Sequence, residues 1–259
     1  MDMTLNQDAV AEIWRPVVLT FESACSFDNP FLDVEIWAEF TGSSGRAIRR
    51  EAYWDGGRTY CVSFAPTELG AWNYVIEAPE QTGLNGCTGR VEAVPYAGDL
   101  DLYRHGFIRV ADDSRMFAYS DGTPFFWLGD THWEFAYRES WDASNHPGMT
   151  SQFRGMVDLR AKQGFTVYQT NLRSDMGADG RYWIGDGMAK GVEDVPNVAF
   201  YQQELDRRIA YIADAGLVNA LGQAWAHSIR GEHAVEHQKH LARYLVARYG
   251  AYPMVWTLA

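Results

Sequence analysis

The second half of the chain alternates between two hydrophobic rhythms, and that alternation constrains the fold more than any single motif. Phe125 to Leu128 is a short apolar strand. "MTSQFRGMVDLRAKQG" then puts Met149, Phe153, Met156, Val157 and Ala161 on one helical face, with Thr150 placed to cap it and Gly164 to stop it. The strand "FTVYQTNL" follows. After a long loop, "AFYQQELDRRIAYIADAG" aligns Tyr201, Leu205, Ile209 and Ile212 ahead of Gly216. "LVNALGQAW" reads as a third strand, "EHAVEHQKHLARYLVARYGA" as a third helix and "PMVWTLA" as a fourth strand. Strands separated by helices predict parallel pairing through helical crossovers. Their near-continuous apolar character fits a sheet covered on both faces.

A doubly wound sheet and a (β/α)8 barrel both begin this way. Polar and aromatic residues gather just past the strands, in "GDTHWEF", "TNLRSDM" and "GQAWAH". In a barrel that rim is where active sites are built. Neither GxGxxG nor a P-loop motif occurs, which weighs against a nucleotide site. The reading favours the first four β/α units of a (β/α)8 barrel over residues 107–259.

The front half is written differently. "VVLTFE", "LDVEIWAEF", "AIRREAYW", "RTYCVSFAP", "AWNYVIEAP" and "GRVEAVP" are rich in β-branched and aromatic residues, and turn-forming stretches such as "DNP", "TGSSG" and "DGG" separate them. Short strands at this spacing predict an antiparallel β-sandwich of immunoglobulin type over residues 1–98. Residues 99–106 then read as a linker to the barrel.

Composition narrows the partners. The formal charge of −12 repels phosphate backbones and anionic lipid, so neither nucleic acid nor a membrane is an expected partner. The 10 Trp and 14 Tyr suit carbohydrate or other amphipathic ligands, although most aromatics in any domain fill its core. No basic, apolar leader opens the sequence and no apolar run is long enough to span a membrane. Cys25, Cys61 and Cys87 are odd in number and lack CxxC spacing, so free thiols are favoured over a disulfide. A cytoplasmic protein is expected, secreted or periplasmic if the N-terminus is trimmed.

The stretch "DGTPFFWLGDTHW" resembles the opening strand of the catalytic domain in the apiosidase-like glycoside hydrolases. "LRAKQGFTVYQTNL", "NVAFYQQELDRRIAYIADAGL" and "ARYLVARYGAYPMVWTLA" resemble the same family in the same order. "VSFAPTELGAWNYVIEA" is similar to a hairpin of the β-sandwich that often precedes that barrel, with Ser63 and Glu68 departing slightly from its pattern. The resemblance implies a (β/α)8 glycosidase using two carboxylates and no cofactor. It also implies that the catalytic carboxylates fall beyond Ala259, so the chain reads as a fragment of an enzyme acting on a plant or microbial polysaccharide or oligosaccharide.

What the chain keeps is one side of a sugar-binding rim. Asp130, just past the first strand, can bind sugar hydroxyls, orient a neighbour, or tie down its own loop. Trp133 can stack on a sugar face or pack a hairpin. His132 faces away from Trp133 if strand alternation persists. Asn171 closes the second strand, where its amide can bond a hydroxyl or another rim residue. Gln223, Trp225 and His227 form an i, i+2, i+4 row past the third strand, with Trp225 the stacking candidate and His227 either a tuner of a carboxylate or a plain loop residue.

Other signals are weaker. His233, His237 and His240 have helical spacing but lack HExxH order, so no metal is expected. Asp175 and Asp179 stand beside glycines in the long loop, with too few oxygens at the right spacing for calcium. No GxSxG nucleophile occurs. The rival reading is a non-catalytic module that binds glycan or protein. Open strand edges also leave room for pairing between chains.

Overall fold

The computed structural model describes residues 8–112, 115–133, 135–136, 139–144, 146–172, 183–184, 195–223 and 234–257. Contacts divide the chain into two units, Met1–Asp99 with Arg243–Ala251, and Leu100–Ala242 with Tyr252–Ala259.

The first unit holds β1 (Asp8–Glu12), β2 (Val17–Glu22), β3 (Trp37–Thr41), β4 (Ala47–Glu51), β5 (Tyr53–Trp54), β6 (Thr59–Phe64), β7 (Gly70–Glu77) and β8 (Thr88–Val94). They form one sheet ordered β1-β8-β7-β3-β4 and another ordered β2-β6-β5. Period-two alternation decides which face is buried: Trp72, Tyr74 and Ile76 of β7 point inward, while Asn73, Val75 and Glu77 point out. Leu19 and Phe21 of β2 enter the same core from the other sheet. Between the sheets Phe40 stacks on Phe64 with ring centroids 3.8 Å apart. Burying each such ring stabilises the unit by roughly 1.5–3 kcal/mol. The three cysteines are unbridged.

Two details differ from the sequence reading. β1 pairs with β8 in parallel, so the larger sheet is mixed rather than antiparallel. β1 leads on to a strand of the other sheet, so no hairpin forces it to run against β8. "AIRREAYW" is not one strand. It breaks at Ala52, where the chain passes from the larger sheet to the smaller one.

In the second unit, residues expected as a linker make a helical turn, α1 (Asp101–Arg104), with Leu102 and Tyr103 buried. A small antiparallel sheet follows from β9 (Ile108–Val110), β10 (Phe117–Tyr119) and β11 (Pro124–Phe125). The apolar run Phe125–Leu128 is therefore divided: its start belongs to this sheet, and the first parallel strand is β12 (Gly129–His132). Then come α2 (Gln152–Lys162), β13 (Val167–Asn171), β14 (Trp183–Ile184) and β15 (Val195–Pro196), the last two paired as a ribbon. α3 (Val198–Phe200) runs through a π-turn at Tyr201–Leu205 into α4 (Asp206–Asp214). β16 (Val218–Gly222), α5 (Ala234–Tyr249), which counts with the first unit from Arg243 on, and β17 (Met254–Thr257) complete the described elements.

The cap of α2 is Ser151, not Thr150. Its hydroxyl accepts from the Arg154 N–H at 3.2 Å, which satisfies a first-turn donor. Gly164 and Gly216 both take φ 79° past their helices, a conformation that favours glycine.

The parallel sheet runs β12-β13-β16-β17, each strand beside its predecessor. A doubly wound sheet would reverse this order at a switch point. Right-handed crossovers, the near-universal choice, put successive helices on one face when strands are laid down this way. Among the described residues the sheet is open, with β12 and β17 at its edges. No helix among them is long and apolar enough to cross a membrane.

Candidate functional site

Strand register sorts the parallel sheet into two faces. Asp130, Tyr168, Asn219 and Met254 share a row, and His132, Thr170, Leu221 and Trp256 the next. These rows face the helices: Arg160 of α2 reaches Asp130, and the Phe153 ring of α2 lies 6.3 Å from that of His132.

The opposite face changes character along the strands. Its first row is Gly129, Val167 and Val218, its second Thr131, Gln169, Ala220 and Val255, and its third Asn171, Gly222 and Thr257. Polarity rises toward the carboxyl ends. Thr131 Oγ1 donates to Gln169 Oε1 at 3.3 Å. Asn171 is buried, and a Cβ on Gly222 would lie 2.9 Å from its Nδ2 and 3.3 Å from Thr257 Oγ1. Glycine thus makes room for an amide and a hydroxyl to close in over its backbone. Thr257 Oγ1 has no hydrogen-bond partner among the described residues. Trp133, 42% exposed, is the turn residue that directly follows β12, at the same end of the sheet as Asn171. The polar side chains of this floor are neutral amides and hydroxyls, and an exposed indole follows at its edge. Such a set suits an uncharged polyhydroxylated ligand.

The helix-facing rows do structural work. Asp130 lies within β12 rather than past it, and its Oδ2 pairs with Arg160 Nε at 2.5 Å while Oδ1 accepts the Thr131 N–H. Burial pushes its carboxyl up, but the Arg160 hydrogen bond, the Thr131 N–H and the Arg160 charge outweigh it and hold the carboxyl below its ordinary value. Further along, Tyr168 Oη meets His132 Nδ1 at 2.5 Å, and His132 Nε2 meets Glu139 Oε1 at 2.7 Å. Gln152 Nε2 donates to the same oxygen at 3.0 Å. Burial, reinforced by the Glu139 and Asp130 charges, pushes the Tyr168 phenol far up, so it stays protonated and can donate to Nδ1. That leaves Nε2–H for the carboxylate. Arg208, wholly buried, pairs with Glu204 and donates to the carbonyls of Phe135 at 2.8 Å and Glu139 at 2.6 Å.

The predicted rim residues therefore separate. Trp133 and Asn171 lie at the carboxyl ends of adjacent strands, whereas Asp130 lies on the helix-facing side. Gln223 follows the helix-facing parity, and its amide donates to the Gln238 carbonyl of α5 at 3.4 Å. Trp225, His227, His233, Asp175 and Asp179 lie outside the described residues. Among the described residues no three His, Cys, Asp or Glu side chains are grouped to hold a metal. Sequence reasoning missed Thr131, Gln169, Gly222, Thr257 and Glu139. Period two counted back from Asn171 would have found Gln169, and a glycine inside an apolar strand was the signal for Gly222; nothing local marked Glu139.

Comparison with known proteins places these features. The family described as "Apiosidase-like, catalytic domain" matches residues 111–259, and a domain of unknown function, DUF5060, matches residues 10–79. A crystal structure named as a "putative glycoside hydrolase" from Bacteroides vulgatus ATCC 8482 superposes with TM-score 0.68 at 20% identity, covering 97% of this chain and 49% of that one. The chain shares that fold and spans about half its length. A glycoside hydrolase family 5 structure from the same organism aligns at TM-score 0.39, 19% identity, 60% of this chain and 33% of that one. No curated protein matches.

Proposed function

The chain belongs to the apiosidase-like family, and from that premise we propose that it forms the sugar-binding half of a glycoside hydrolase. In this reading the first unit is an immunoglobulin-like sandwich and the parallel strands are the opening half of a (β/α)8 barrel. One observation carries the assignment: Asn171, Gly222 and Thr257 share a row at the carboxyl ends of strands wound in sequence, on the face away from the helices, and exposed Trp133 follows the carboxyl end of the strand beside them. That is where barrels of this kind build their sites. Trp133 stacks on a sugar face, the Asn171 amide donates to a hydroxyl, the Thr257 hydroxyl donates or accepts, and Gly222 makes room for both groups.

Glycosidic cleavage needs an acid at the leaving oxygen and a second carboxylate roughly 5–5.5 Å away for retention or about 6.5–9.5 Å for inversion. The floor rows contain no carboxylate. In the proposed enzyme both come from residues beyond Ala259, a reading supported by the 49% coverage of the similar structure. The same neutral floor favours a second reading for this chain by itself, a module that binds glycan without cleaving it.

Reducing-sugar release from soluble pectin and xylan decides between them, measured on this chain and on one extended through four further strands. Turnover by the longer protein alone supports the enzyme. Binding without turnover by either leaves the binding module, and neither binding nor turnover overturns both.

A further inference from the structure

The turn leaving β12 is tied at its base by groups the proposed chemistry does not use. His132 ends the strand, and its ring is held on three sides: by the Tyr168 hydroxyl at 2.5 Å, by Glu139 Oε1 at 2.7 Å and by the Phe153 ring at a centroid distance of 6.3 Å. Glu139 is the hub. Its side chain is 6% exposed, it takes a second bond from Gln152, and its other oxygen, Oε2, is buried with no partner among the described residues. Its backbone carbonyl is gripped by Arg208, which also grips Phe135. Trp133 follows His132 directly, so the direction in which its indole leaves the strand is set by how His132 is seated.

A phenol, an imidazole and a carboxylate in series resemble an activated nucleophile. The Tyr168 hydroxyl, however, is engaged by His132 on the helix-facing side of the sheet, away from the floor, and cannot reach a substrate there. The carboxylate instead acts through the imidazole on the residue beside it. We propose that Glu139 is a positioning residue: by accepting the His132 Nε2–H it fixes the end of β12 and holds Trp133 as a preformed stacking platform. The inference rests on the carbohydrate reading for its purpose, but not for its geometry.

The test reads the geometry first. In 1H–15N spectra of the whole chain, the Trp133 indole signal is identified by its loss in Trp133→Phe, and the Trp72 indole serves as reference. Glu139→Leu, which removes both oxygens, is expected to shift or broaden the Trp133 signal and leave Trp72 in place. Glu139→Gln keeps an oxygen for both donors and is expected to retain the Trp133 signal. An unmoved Trp133 signal in folded Glu139→Leu, or an equal change in Glu139→Gln, overturns the proposal. If Glu139→Leu does not fold, Tyr168→Phe is read the same way, with a smaller shift expected and no shift overturning it. The same proteins are then titrated with soluble xylan and pectin fragments. Affinity should fall about tenfold in Glu139→Leu and stay within twofold in Glu139→Gln. Absence of binding by the unaltered chain sinks the carbohydrate reading, whereas the indole shifts decide the positioning role.

Discussion

Asp130 and Arg160 meet at 2.5 Å on the face of the parallel sheet that α2 covers, while Asn171 of the neighbouring strand points from the other face. The pair joins a strand to its own crossover helix. Both side chains keep partial exposure, 33% and 23%, so the attraction is screened. Asp130→Ala is expected to cost about 1 kcal/mol in urea unfolding and to leave carbohydrate affinity unchanged. Because the folded carboxyl titrates below its unfolded value, near 4, its contribution is present above that pH and disappears as acid carries the solution through the folded value. The variant should therefore show a flatter acid limb in a stability-against-pH curve.

Gly222 faces the Asn171 amide across the floor. A methyl there would stand 2.9 Å from Nδ2, closer than atoms tolerate, and the terminal amide is what can move. Gly222→Ala should displace Asn171 and weaken carbohydrate binding by roughly tenfold, about 1.4 kcal/mol, with much less effect on the unfolding midpoint. Equal loss of stability and affinity would mean that the glycine serves packing alone.

Tyr168 gives an alkaline signature. Burial first, then the Glu139 and Asp130 charges, raise its phenol above the ordinary value, near 10. A raised group adds stability that is complete below the unfolded value and is lost as pH rises through the folded one. Stability should decline above about pH 10, and Tyr168→Phe should remove much of that slope. A slope unchanged in the variant would assign it to other tyrosines.

How much of this is legible in the sequence depends on range. Tyr201, Leu205, Ile209 and Ile212 are all buried, as their spacing predicts, because a continuous amphipathic helical segment reports its own burial. Trp133 and Asn171 are identifiable because strand ends are local features. The face each residue takes is not. Periodicity sets the first parallel strand one segment early and so leaves Asp130 just past it, and register depends on partners far along the chain. The contacts of Glu139 with His132, Gln152 and Arg208 come from three elements, so no window of sequence contains them.

The cap of α2 shows the same effect on a small scale. Ser151 accepts the Arg154 N–H, whereas the sequence pattern points to Thr150. Ser151→Ala should cost about 1 kcal/mol, measured by urea unfolding, and Thr150→Ala should cost little. The reverse order would shift the helix start by one residue.

Two exposed indoles distinguish the ends of the sheet. Trp127 is 38% exposed and precedes β12, with its ring 5.1 Å from that of Phe117 in the small hairpin sheet. Trp133 is 42% exposed and follows β12, at the same end of the sheet as Asn171. Their exposures are similar, so a nonspecific affinity for aromatic surface would treat them alike. If carbohydrate binds at the carboxyl ends, Trp133 rather than Trp127 can stack while a hydroxyl reaches Asn171 and Thr257. Trp133→Ala should then weaken binding to xylan or pectin fragments roughly tenfold, about 1.4 kcal/mol, in isothermal titration, and Trp127→Ala should leave it within twofold. Weakening by Trp127→Ala alone would move the site to the opposite end of the strands and remove the polar floor from the account.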